Sequence, residues 1–138
     1  MNKKVFRETK QRNAIKAALE KAGRPLGPKE ILQLAGEEVP NLGIATVYRN
    51  IKTMVEKGEL EPVELPGQAP RYQQPLGDEK KHLFICEKTD SVFTIDPAPE
   101  DFKPQLPEDF VLRRYQIICY GEVTGEKRES LNGLAAAN

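Results

Sequence analysis

Apolar residues recur at helical spacing as far as Gly58 and at strand spacing after it. Ala14, Ile15, Ala18, Leu19 and Ala22 share one stripe, which predicts a helix from a cap at Thr9 to about Ala22. Gly23 stops it, and Pro25, Gly27 and Pro28 make the next break. Pro28 suits the first turn of a second helix, with Lys29 to Ala35 as its body and Gly36 as its end. The third helix opens after Gly43. At about 100° per residue, Ile44, Val47, Tyr48, Ile51, Met54 and Val55 fall within an arc of about 120°, with Tyr48 at its edge. Ala45, Thr46, Arg49, Asn50 and Thr53 take the opposite face, and Gly58 ends the helix.

The period then changes. Leu60 to Leu65 and Pro70 to Gln74 flank a Pro66-Gly67-Gln68-Ala69 turn, which predicts a two-stranded hairpin. Three helices followed by a hairpin outline a winged helix-turn-helix. Residues 76–81 read as a polar linker. Leu83 to Cys86 and Ser91 to Ile95 predict strands around a turn at 87–90. Pro97, Pro99, Pro104 and Pro107 limit the next stretch to a helical turn or two near Pro99–Lys103. Val111 to Tyr120 is rich in strand formers, and the alanine-rich end predicts a frayed tail. The expected fold class is α+β: a winged-helix domain over 1–76, a small α/β domain over 77–121 and a flexible tail over 122–138. Phe84, Ile85, Val92, Phe93, Ile95, Ile117 and Ile118 are the expected apolar packing of the second lobe.

Charge changes the picture. The 138 residues carry a formal net charge of zero, but unevenly. Residues 1–58 hold 12 Lys/Arg against 6 Asp/Glu, a net of +6, and residues 59–138 hold 9 against 15, a net of −6. A basic half joined to an acidic half suggests one polyanion-facing lobe and one lobe with another task. A duplex reader needs a helix held by one apolar face, with slim or hydrogen-bonding side chains on the other. Gly43, Ala45 and Thr46 keep the start of the third helix slim. Thr46, Arg49 and Asn50 are then in reach of phosphates or base edges, Arg as a fork for guanine and Asn as a partner for adenine. Tyr48 can pack its ring and offer its hydroxyl to a phosphate. Lys3, Lys4, Arg7, Lys10, Arg12 and Lys16 precede or line the first helix and can track a DNA backbone. The plainer alternatives are an ordinary amphipathic surface helix and a solvated charged face.

Other chemistry has little to build on. Two cysteines, Cys86 and Cys119, make neither a disulfide framework nor a four-cysteine zinc site. His82 is the single histidine, and with Cys86 it falls short of a ligand set. No nucleophile–base set or Gly-rich phosphate loop is present, so an enzyme is not expected. No apolar run reaches a membrane-spanning length, and the basic N-terminus lacks an apolar core segment, so the expected compartment is the cytoplasm.

Arg7 to Ile15 (with Thr9, Gln11 and Arg12), Glu30-Ile31, Gly43-Ile44-Ala45-Thr46-Val47-Tyr48-Arg49-Asn50-Ile51, Gly58 and Arg71-Tyr72 together resemble the ferric uptake regulator family. The Ala-Thr-Val-Tyr-Arg string is the most specific part, and the resemblance covers residues 5–95 well and 110–121 weakly. It implies a winged-helix DNA-binding domain followed by a small α/β dimerisation domain. Family members are dimeric bacterial repressors of double-stranded DNA targets, usually gated by iron, zinc, manganese or peroxide. By motif match Tyr48 and Arg49 are DNA-contacting residues; Thr46 and Asn50 are added from helix geometry, and Lys4 and Arg12 from charge.

The chain also departs from the family pattern. Cys86 is followed at the usual partner position by Thr89, and Tyr120-Gly121 leads into Glu122-Val123-Thr124-Gly125-Glu126 without a cysteine. Gly23-Arg24-Pro25-Leu26 holds no histidine, and Gln73 stands where a glutamate often follows the Arg-Tyr pair. From these departures no zinc or iron cofactor is expected, and His82 is only a weak metal candidate. One rival is a metal-dependent regulator with a rebuilt oxygen-rich site around His82, Asp78 and Glu79. Another is a protein-interaction module that no longer binds DNA. The residues identify no effector.

Overall fold

The computed structural model describes residues 3–75, 82–96 and 104–125. Asp78 and Glu79, the helical turn expected near Pro99–Lys103, and the chain beyond Gly125 lie outside the described residues. The element order is α1 (Lys3–Ala22), α2 (Pro28–Ala35), α3 (Ile44–Glu56), β1 (Glu61–Leu65), β2 (Gln68–Gln73), β3 (His82–Cys86), β4 (Val92–Ile95) and β5 (Ile118–Gly121).

The first helix starts at Lys3, not at a Thr9 cap. The Thr9 hydroxyl donates to the Val5 carbonyl at 2.9 Å, so it is satisfied within the helix and marks no end. The second helix follows its expected bounds. Pro28 needs no amide partner at the helix start, and the Gly27 N–H donates to Glu30 Oε1 at 3.0 Å. The three helices close over one core that includes Ile15, Leu19, Ile31, Val47, Ile51, Met54 and Leu60. After α3, Gly58 adopts φ +75, which lets the Glu59 amide return to the Met54 carbonyl. Lys16 Nζ then meets Glu59 Oε2 at 2.6 Å, and this hydrogen bond holds the Glu59 carboxyl below its ordinary range. Lys16, expected among the backbone-tracking cations, is therefore engaged in tying α1 to the end of α3.

β1 and β2 form an antiparallel wing around Pro66-Gly67, where Gly67 supplies φ +71. Leu26 exchanges two backbone hydrogen bonds with Tyr72, at 2.9 and 2.8 Å, so the wing is stapled to the α1–α2 connection. The second sheet has the order β4-β3-β5, with β3–β4 antiparallel and β3–β5 parallel. The strand expected over 111–120 is realised only at Ile118–Gly121. The short β3 offers a template that pairs only from Leu83 with Ile118 to Cys86 with Gly121.

Strand alternation gives this sheet two apolar faces. Leu83, Ile85 and Val92, with Ile118, meet Val63 and Leu65 from the wing. Cys86 and Phe93, with Phe84, pack on the other face against Val123, which lies in the segment expected to be a tail. Ile85, Val92 and Phe93 are buried as expected, whereas Phe84, Ile95, Ile117 and Ile118 are half-buried. No helix covers the outer side of this sheet among the described residues. No described helix is long and apolar enough to cross a membrane.

Ile31 has no exposed surface and sits where all three helices meet. Ile31→Ala is expected to lower stability by about 2–5 kcal/mol in urea denaturation, because it leaves a cavity. Phe6→Ala, at a largely exposed position of α1, is expected to change it by no more than about 0.5 kcal/mol. Equal effects would show that the helical core is not the seat of stability.

Candidate nucleic-acid interface

Burial on α3 is narrower than its apolar pattern. Val47, Ile51 and Met54 are buried and span an arc of only about 60°. Ile44 is 37% exposed and Tyr48 54% exposed, although both belong to the apolar arc of the sequence. The exposed face is thereby shifted toward Tyr48, Lys52, Ala45 and Arg49, which together span about 100°. Lys52 adds a cation that periodicity alone had left unassigned. Its charge and its place one turn after Tyr48 were the available signal.

Short hydrogen bonds order this face. Arg49 Nη2 donates to Thr46 Oγ1 at 3.2 Å, and the Thr53 hydroxyl donates to the Arg49 carbonyl at 3.1 Å. Asn50 Nδ2 donates to the Thr46 carbonyl at 2.9 Å and is half-buried, so Asn50 lies on the flank of the face and not at its centre. The wing stands beside the helix: burial raises the Tyr72 phenol above its ordinary pKa, and Tyr48 and Glu64 add to that shift. On α1, Lys4 is exposed near the helix start, and Arg12 Nη2 donates to Thr9 Oγ1 at 3.3 Å. Thr46, Tyr48, Arg49 and Asn50 thus share one helix. Lys4 and Arg12 sit on α1, about 12 Å apart along its axis.

The residues around His82, the weak metal candidate, behave differently. His82 Nδ1 accepts the Ile117 N–H at 2.9 Å, which leaves the ring proton on Nε2 in the neutral form. Its ring lies 5.5 Å from that of Tyr115. Cys86 is buried, and its thiol is lowered to about 7 by a hydrogen bond with the Thr89 hydroxyl, helped by the Val123 backbone and opposed by burial. The Thr89 and Ser91 hydroxyls lie 3.0 Å apart beside it. Tertiary folding therefore brings Cys86, Thr89 and Val123 together. No group of three or more His, Cys, Asp or Glu side chains is placed to hold a metal among the described residues.

The ferric uptake regulator family model matches residues 3–120. The chain belongs to the ferric uptake regulator family. A ferric uptake regulation protein of Staphylococcus epidermidis is 31% identical over 102 residues, covering 73% of this chain and 72% of that protein. Among solved structures, a zinc-bound manganese uptake regulator superposes with a TM-score of 0.71 at 20% identity, covering 83% of this chain and 88% of that one. The ferric uptake regulator of Francisella tularensis with iron gives 0.63 at 23% identity, covering 82% and 88%. The last two carry the α+β fold of this family member, winged helix first and small α/β lobe second.

They also correct one expectation. A zinc-bound regulator and one with iron share this fold, and these findings point to a metal cofactor where none was expected. The described residues do not supply a donor set that fits one: no three His, Cys, Asp or Glu side chains come together, His82 Nδ1 accepts from Ile117, and Cys86 is engaged with Thr89.

The Cys86 thiol gives a pH-dependent prediction. Its folded pKa lies below the ordinary thiol value, so the stabilisation is complete above that ordinary value and is lost as pH falls through about 7. Thr89→Val, in a Cys119→Ser background, is expected to raise the thiol and reduce thiolate absorbance near neutral pH. An unchanged titration would remove the hydroxyl as the cause.

Proposed function

We propose that this family member is a homodimeric, sequence-specific DNA-binding transcriptional regulator that reads duplex DNA with α3. The observation that carries this reading is α3 itself, anchored by Val47, Ile51 and Met54 while Tyr48, Arg49 and Lys52 stand clear of the core. A helix held on so narrow a face leaves the arc from Ile44 through Tyr48 and Lys52 to Arg49 free to enter a major groove. Arg49 is the base reader in this proposal and Tyr48 a phosphate contact. Thr46 and Asn50 flank them, and Lys4 and Arg12 follow the backbone from α1.

The proposed division of labour assigns residues 1–76 to DNA and 77–121 to dimerisation, with 122–138 as the tail after Val123 packs back. Support for pairing comes from β5, an edge strand of its sheet, and from the exposed Leu106, Phe110, Val111 and Tyr120 in the same lobe. An open strand edge beside exposed apolar side chains is a surface that a second copy can cover. The role is regulatory and not catalytic, and its compartment is the cytoplasm.

Binding is expected to weaken steeply with salt, because Lys and Arg release counterions from phosphates. Arg49→Ala is expected to cost about 1–3 kcal/mol and to relax preference at one base position. Tyr48→Phe should cost less, since only a hydroxyl is lost. Lys4→Ala should weaken all duplexes about equally. Competition binding across variant sites measures all four. A folded Arg49→Ala chain that binds every duplex as the parent does would remove α3 as the reader.

A further inference from the structure

Two kinds of contact join the helical lobe to the β3–β5 sheet. The first is apolar: Val63 and Leu65 of the wing pack with Leu83, Ile85 and Val92. Such contact gives adhesion without direction, because the hydrophobic effect depends on area and not on angle. The second is a charged network built around Arg71 of β2. Its Nη1 donates to Glu30 Oε1 of α2 at 3.3 Å and to the Asp90 carbonyl in the β3–β4 turn at 3.0 Å. Its Nη2 donates to Gln68 Oε1 at 3.2 Å. One planar guanidinium therefore touches the helix before the reader, the wing and the second lobe.

The surroundings stiffen that junction. Glu30 Oε2 also takes Arg24 Nη2 at 2.9 Å, and the Arg24 guanidinium lies 5.8 Å from the centroid of the Phe93 ring in β4. The two arginine side chains are only 9% and 16% exposed, so both are ordered by packing and not merely by charge in water. Asp90 adopts φ 61, a left-handed conformation that Asp tolerates better than most residues, and its carbonyl accepts from Arg71. A fork with fixed donor directions sets an angle in a way that an ammonium does not.

We propose that Arg71 is a positioning residue for operator spacing, fixing the angle between the α3-bearing lobe and the dimerising lobe. This rests on the reading of the chain as a DNA-binding dimer. In a two-fold dimer the separation of the two reading helices is set by how each helical lobe sits on its sheet. Across a small domain about 30 Å wide, a swing of about 10° displaces the far end by about 5 Å, more than the roughly 3.4 Å rise of one base pair. Half-site spacing is therefore sensitive to this joint, whereas recognition within one half-site belongs to α3 alone.

The test uses the full chain and duplexes carrying two half-sites with spacers varied by single base pairs, drawn from selection on random DNA. The parent is expected to prefer one spacing by at least about tenfold. Arg71→Ala should flatten that preference several-fold while leaving the half-site sequence preference and single half-site affinity within about twofold. Arg71→Lys should flatten it too, because the charge remains and the fork does not. Arg71→Gln, which keeps part of the side-chain length and polarity but not the fork, is the second variant should Arg71→Ala fail to fold, and it should flatten the profile in the same way. An unchanged spacing profile in folded Arg71→Ala or Arg71→Gln overturns the proposal alone, as does full rescue by lysine. A parent that shows no preference for paired half-sites overturns both the proposal and the dimeric reading beneath it.

Discussion

The side proposed to face DNA depends on three side chains of one helix. Val47, Ile51 and Met54 bury themselves against Ile15, Leu19 and Ile31 and hold α3 by a stripe about 60° wide. A wider stripe would draw Tyr48 and Ile44 into the core and leave less of the helix free. Both α1 and α2 contribute to the core that this stripe enters. The same constraint explains why Asn50 is half-buried and bonded to the Thr46 carbonyl: it lies where the exposed face begins to turn back toward the core.

The wing is as much a structural link as a surface feature. Its outer strand is stapled to Leu26, its inner apolar positions rest on the second sheet, and Arg71 reaches both α2 and the β3–β4 turn. A hairpin alone is marginal in water. Here it is held by Leu26 along one strand and by the second sheet against Val63 and Leu65, while Pro62 and Glu64 stay exposed. The price is that its position and that of the second lobe are not independent.

The chain has a basic and an acidic half, but charge count does not map directly onto exposed charge. Lys16 is committed to Glu59, and Arg24 and Arg71 to Glu30, so these cations shape the fold before they meet any ligand. The metal question turns on the same distinction between inventory and arrangement. Sparse cysteine and histidine argued against a cofactor, yet proteins of this fold hold zinc and iron. In the described part of this chain His82 is engaged by Ile117 and Cys86 by Thr89 and Val123, and no three metal-ligating side chains come together.

The sequence by itself determined the local elements and the family. Helices α2 and α3, the Pro66-Gly67 hairpin and the strand pair around residues 87–90 follow from periodicity and turn chemistry, which act over a few residues. The Ala-Thr-Val-Tyr-Arg string points to the family without any packing information. Tertiary structure decided what depends on neighbours far along the chain. A helical period fixes the angles between side chains but not which part of an apolar arc meets a partner, so Ile44, inside the arc, and Tyr48, at its edge, both stand outside the buried stripe. Thr9 carries a capping residue's chemistry, yet an available carbonyl at Val5 keeps it inside the helix. Arg71 looked like part of a wing motif, and only the docking of the β3–β4 turn, 19 residues away at Asp90, gave its guanidinium a second lobe to hold.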